Sequence, residues 1–116
     1  DMKLSLLEGN SVRSMQSDFS DLSGAETGTQ VMNFEAAWAR GFTGRNQVAA
    51  MADTGLDSGN ANTIHPDFRN RIVAGYAVGL FGKSWADPMG HGTHVAGSIV
   101  GNGTASSGFL KGGAPE

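Results

Sequence analysis

Two residues that can move a proton stand where this chain passes from apolar scaffold to polar chemistry. Asp53 closes the apolar run Val48-Ala-Ala-Met-Ala52 and is followed by Thr54-Gly-Leu-Asp57. His91 opens a run of small and apolar residues, His91-Gly-Thr-His-Val-Ala-Gly-Ser-Ile-Val100, bounded by Gly90 and Gly101. A carboxylate that accepts the Nδ1–H of an imidazole fixes its tautomer and stabilises the imidazolium. The other ring nitrogen is then left to take a proton from a hydroxyl, so the pair supplies two of the three parts of a nucleophile-activating triad. An ordinary histidine pKa of about 6.5 suits such work near neutrality. Each residue also has a simpler reading. Asp53-Thr-Gly55 is a turn-forming sequence, and a histidine in the first turn of a helix can bond a backbone carbonyl.

The elements that must position this pair follow from the apolar pattern. Val48–Ala52 is continuously apolar rather than alternating, which predicts a parallel strand covered on both faces. Ligands of open α/β sheets bind at the carboxyl ends of strands, and Asp53 lies at such an end. Arg71–Val78 reads as a second strand, and the loop 79–89 delivers His91. A helix is predicted from about His91 to Val100, stopping at Gly101-Asn-Gly103. Its small residues at 92, 96 and 97 let it approach a sheet closely. Upstream, Asn33 predicts the N-cap of a short helix that Gly41 ends, with Phe34, Ala37 and Trp38 on the core side. Gly44-Arg-Asn-Gln47 reads as a turn, and a small hairpin is expected after the Gly/Ser/Thr-rich loop 101–108.

Residues 1–32, serine-rich with an apolar knot at Leu4, Leu6 and Leu7, read as an N-terminal arm or extension; 33–116 reads as the body of the domain. The 116 residues include 18 glycines, with 39% apolar content and a formal charge of −3. With no basic run, nucleic acid is not an expected partner. A membrane is not expected either, because no apolar stretch approaches the roughly 20 residues that cross a bilayer. Absence of cysteine excludes a disulfide framework and a thiol nucleophile. A start at Asp1 rather than Met suggests a processed or excised species.

The segments Val48-Ala-Ala-Met-Ala-Asp-Thr-Gly-Leu-Asp57 and Gly90-His-Gly-Thr-His-Val-Ala-Gly97 resemble the aspartate and histidine motifs of the subtilisin-like serine proteases, the subtilases. The resemblance extends through Ala37-Trp-Ala-Arg-Gly-Phe-Thr-Gly44, His65-Pro-Asp-Phe68 and Gly113-Ala-Pro115, so it covers roughly residues 33 to 116. Within the family it is greatest toward alkaline subtilases that carry an extra C-terminal β domain. It implies a three-layer α/β fold with a mostly parallel sheet flanked by helices, of which this would be the N-terminal portion. It also implies a serine endopeptidase in which Asp53 is the orienting acid and His91 the general base. Secretion is implied too, since relatives are usually exported with a propeptide.

His94, the second histidine of the motif, lies on the same side as His91. A metal pair is conceivable there, but no third ligand is near, and a packed, hydrogen-bonded role is expected. No cofactor is expected for catalysis. Asp67 resembles an aspartate that binds structural calcium in some members, although one carboxylate does not make a site of six to eight oxygens.

The family's Gly-Thr-Ser-Met-Ala nucleophile motif and its oxyanion asparagine are absent from the 116 residues. Ser106 and Ser107 lie at the far end of the helix that His91 begins. About nine residues at 1.5 Å each put them some 13 Å away, outside the roughly 3 Å that proton transfer needs. A complementary C-terminal segment or second chain is therefore the expected source of the serine and asparagine. The isolated chain is expected to be inactive, and unfolded or molten until docked; a nick after Glu116 or a truncation would produce it. Polypeptides are the expected substrates. Two rivals remain. A homodimeric aspartic protease would use Asp53-Thr-Gly55 but leaves the Gly90–Gly101 run unexplained. An inert released fragment would act only as an interaction piece.

Overall fold

A computed structural model describes residues 28–79 and 82–116. The reading of residues 1–27 as an arm, including the Leu4, Leu6 and Leu7 knot, lies outside the described residues, as do positions 80 and 81 of the loop before His91. The chain divides into two units, Asp1–Phe42 and Thr43–Glu116.

In the described part of the first unit, α1 (Gly28–Val31) is a single turn, and α2 (Phe34–Trp38) is the short helix expected there. Phe34, Ala37 and Trp38 are the half-buried positions of α2, and the Phe34 and Trp38 rings stand 6.4 Å apart. Asn33 departs from expectation: it sits at the N-cap in a left-handed conformation (φ 57°) with no side-chain cap bond. The C-terminal signal is obeyed. Gly41, at φ 86°, donates to the Trp38 carbonyl (2.8 Å) while Phe42 donates to Ala37 (3.0 Å). These are the paired bonds of a Schellman closure, which needs a left-handed residue at Gly41.

The second unit is organised around α3 (His91–Val100), with the bounds its glycines predict. Ala96 of α3 is buried with Ile64 and Phe68, the latter on a 3₁₀ turn at Pro66–Phe68, and Leu56, Ile72, Trp85 and Val100 pack around them. The two predicted strands are not present; among the described residues there is no β-strand. Val48, Val73, Tyr76 and Val78 are exposed. A parallel strand exists only through neighbours that complete its hydrogen bonds, and neither segment has such a neighbour among the described residues. An apolar run specifies what a segment can become, not that it has a partner. The expected hairpin after residue 108 is also replaced. Residues 104–106 form a 3₁₀ turn, and the chain then returns to dock on the end of α3.

That docking satisfies the carbonyls that the last turn of a helix leaves without partners. Gly113 donates to Ser98 (3.0 Å), Ala114 to Ile99 (2.8 Å) and Gly112 to Gly101 (2.8 Å). The Arg71 guanidinium donates to Val100 and, at 3.3 Å and 3.4 Å, to the carbonyls of Asp67 and Ala114. A side chain at Gly112 would press on the backbone of Gly97 and Ile99 (2.6 and 2.7 Å), so the approach requires glycine. Arg71→Met keeps most of the stem but removes a cation from a helix C-terminus and leaves the Val100 carbonyl without its guanidinium donor. A loss of about 2 kcal/mol is expected in urea titration of the protease carrying this chain. An unchanged midpoint would show that water replaces the guanidinium freely.

Candidate active site

Asp53 follows the extended segment 48–52, and His91 is the first residue of α3. The turn into α3 is made at Gly90, whose φ of 82° an L side chain rarely adopts. This brings His91 Nδ1 to 2.8 Å from Asp53 Oδ1 across 38 positions of sequence. The Thr54 backbone N–H donates to the same oxygen at 2.6 Å. The Asp53 side chain is 16% exposed and that of His91 68%. The imidazole bond, then the Thr54 N–H, hold the Asp53 carboxyl below its ordinary range, outweighing its desolvation. The bond to Asp53 and then its charge raise the His91 pKa. Near neutrality the arrangement is an ionised carboxylate accepting from Nδ1–H, which leaves Nε2 as the nitrogen able to accept a proton.

The ground beneath the pair is a hydrogen-bonded knot around Asp87, a residue that sequence reasoning passed over. Asp87 Oδ1 accepts from Thr54 Oγ1 (2.8 Å), Gly90 N–H (2.9 Å) and Met89 N–H (3.1 Å). Its Oδ2 accepts from Thr93 N–H (2.8 Å) and Thr93 Oγ1 (2.5 Å). Thr54 Oγ1 in turn accepts the Gly92 N–H (2.9 Å), and Thr93 Oγ1 accepts the Asp57 N–H (2.8 Å). The Thr93 bond and its companions drive the Asp87 carboxyl far below the usual carboxylate range, against the cost of its desolvation. Backbone bonds Leu56 N–H to Trp85 (2.9 Å) and Asp87 N–H to Asp57 (2.9 Å) run alongside. An acidic residue just ahead of a helix, with a threonine in its first turn, is a capping signal. Asp87-Pro-Met-Gly-His-Gly-Thr93 carries that signal.

The other singled-out residues fall elsewhere. His94 is exposed, contrary to the packed role expected of it. It lies on the α3 surface, where only its backbone bonds, to Gly90 and Ser98, are made. Asp67 ties two loops: its Oδ1 accepts the Ala105 N–H at 2.8 Å. Among the described residues no group of three or more His, Cys, Asp or Glu could hold a metal. One engaged carboxylate does not supply the six to eight oxygens of a calcium site. Ser106 Oγ is occupied within its own loop, accepting from Leu110 N–H (2.8 Å) and donating to the Gly103 carbonyl (3.1 Å).

Comparison with known proteins places the chain in a family. Residues 44–116 match the family described as the subtilase family. The chain is 40% identical over 100 residues to the major intracellular serine protease of Bacillus subtilis (strain 168), covering 83% of this chain and 29% of that protein. It is 38% identical over 81 residues to the minor extracellular protease Epr of the same organism, covering 69% of this chain and 11% of that protein. It is 41% identical over 71 residues to subtilisin of Bacillus sp. (strain TA39), covering 58% of this chain and 16% of that protein. The chain thus spans less than a third of the length of these relatives. No solved structure matches it significantly.

Proposed function

As this chain belongs to the subtilase family, we propose that it contributes the acid and the base of a serine endopeptidase, Asp53 and His91, and that the nucleophilic serine and oxyanion asparagine come from polypeptide outside these 116 residues. The observation that carries this reading is the 2.8 Å contact between His91 Nδ1 and Asp53 Oδ1. His91 Nε2 takes the serine hydroxyl proton as the oxygen attacks the peptide carbonyl. The imidazolium then hands that proton to the leaving amine, while Asp53 remains ionised and holds the ring. The same cycle run with water releases the acyl product. Within this proposal the segments 48–52 and 71–78 become strands of the parallel sheet once the remaining polypeptide pairs with them, in the three-layer α/β arrangement. By itself the chain is inactive.

The aspartic-protease alternative gains nothing from the geometry, because Asp53 is engaged by an imidazole rather than poised against a second carboxylate. Export, the localisation expected from the resemblance, is supported by the relative named as extracellular, while another is named as intracellular. The test is chemical labelling of the protease carrying this chain. A serine-directed phosphonyl fluoride abolishes peptide hydrolysis, a pepstatin-type inhibitor does not, and the labelled peptide maps outside residues 1–116. A label on Ser106 or Ser107, or inhibition by pepstatin alone, refutes the assignment.

A further inference from the structure

Asp87 takes no part in the proton transfers just described, yet its carboxylate accepts five hydrogen bonds from four residues. Three of those donors, the N–H groups of Met89, Gly90 and Thr93, lie in the turn into α3 and its first turn, and a capping carboxylate would account for them. The Thr54 hydroxyl would not be needed for capping. Thr54 adjoins Asp53 in sequence, its N–H already bonds Asp53 Oδ1, and its hydroxyl reaches both Asp87 Oδ1 and the Gly92 N–H. Gly92 and Thr93 directly follow His91 on α3. The carboxylate therefore bonds, in one place, the side chain of the residue next to the acid and the backbone that follows the base, through residues 33 and 6 positions away from it.

We propose that Asp87 is a positioning residue for the catalytic pair, acting through Thr54 on Asp53 and through Thr93 and Gly90 on His91. The physical argument is one of tolerance. The Asp53–His91 contact is a hydrogen bond between a loop and a helix end with an open, mostly exposed imidazole. Nothing in the two side chains alone keeps their backbones at a fixed separation. A charged acceptor with short bonds to both sides does so, because charge-assisted hydrogen bonds are shorter and about twice as strong as neutral ones. Misplacement of a reacting group by about 1 Å costs on the order of 100-fold in rate. The inference rests on the proposed roles of Asp53 and His91.

The experiment compares Thr54→Val, Thr54→Ser, Asp87→Asn and Asp53→Asn in the protease carrying this chain. Each is scored as kcat per active site titrated with the serine-directed fluoride, so that misfolded molecules drop out. Thr54→Val leaves the Met89, Gly90 and Thr93 bonds to Asp87 in place and severs the two bonds of the Thr54 hydroxyl, to Asp87 and from the Gly92 N–H. It is expected to lower kcat by about 10-fold to 100-fold with KM held, and to weaken the low-field proton resonance of His91 Nδ1–H. Thr54→Ser, which keeps the hydroxyl, restores both. Asp87→Asn, whose single amide oxygen cannot replace both accepting carboxylate oxygens, is expected to show the same kcat-selective loss. Adding Thr54→Val to it lowers kcat by much less than the product of the two single effects. If Asp53→Asn abolishes activity while Thr54→Val and Asp87→Asn keep full kcat and the low-field proton, Asp87 is only a helix cap and the proposal fails. If Asp53→Asn itself keeps full activity, the triad reading fails instead.

Discussion

Replacing Asp53 by asparagine is expected to lower the kcat of the protease carrying this chain by about 10⁴-fold while leaving substrate binding nearly intact. An amide can offer its N–H₂ to Nδ1, which forces the proton onto Nε2, the nitrogen that has to accept the serine proton. It also removes the negative charge that stabilises the imidazolium. The pH dependence gives a second reading of the same change. His91 acts as a base only when neutral, so activity rises as pH climbs through its pKa. The bond to Asp53 and the Asp53 charge raise that pKa, so the acidic limb of kcat/KM is expected above the ordinary histidine value of about 6.5. In Asp53→Asn the residual activity is expected to keep its acidic limb at lower pH, because the protonated ring has lost its partner. The profile from pH 5 to 9 checks this directly. A mutant with full turnover, or a limb that moves upward, refutes the assignment of Asp53.

Adding one methyl group at Gly92 is the second large effect expected. A Cβ there would press on the Gly55 carbonyl oxygen, lie 3.0 Å from the Gly55 nitrogen and 3.2 Å from Asp53 Oδ1. The two nearest obstructing atoms are Gly55 backbone, which cannot rotate away as the end of a flexible side chain can. The first turn of α3 would have to back off from the loop that carries Asp53, lengthening the Nδ1–Oδ1 contact. Gly92→Ala is therefore expected to lower kcat on the order of 100-fold and to destabilise by about 1 to 3 kcal/mol, the usual cost of overpacking. The control is Gly97→Ala on the same helix, where a Cβ meets nothing within 4 Å. There the better helix propensity of alanine is expected to leave stability equal or higher by up to about 1 kcal/mol. Urea midpoints and kcat of the two variants decide it, and equal behaviour at 92 and 97 would remove the close-contact argument.

The difference between those two glycines shows where sequence reasoning stops. Both belong to the small residues of α3, yet only at Gly92 would a Cβ meet a neighbour. In the same way, His94 shares its motif with His91 but has no side-chain partner such as Asp53 among the described residues, because motif membership does not say what each side chain meets.

What the amino-acid sequence determined by itself was local or chemical. The start of α3 at Gly90, the Gly41 closure of α2 and the Gly44–Gln47 turn, closed by a 2.9 Å bond, depend on the dihedral freedom of single residues. The pairing of an acid with an imidazole depends on residue type and motif. The tertiary structure alone decided which side chains the chain's long returns bring together. Asp87 and Thr54 are 33 positions apart, and Arg71 and Val100 are 29 apart; no local periodicity encodes such meetings. The segments 48–52 and 71–78 belong on the same side of that line. Their apolar character is written in the residues, but strand pairing is a property of neighbours, and a hydrogen-bonded ladder forms only where a second backbone lies alongside.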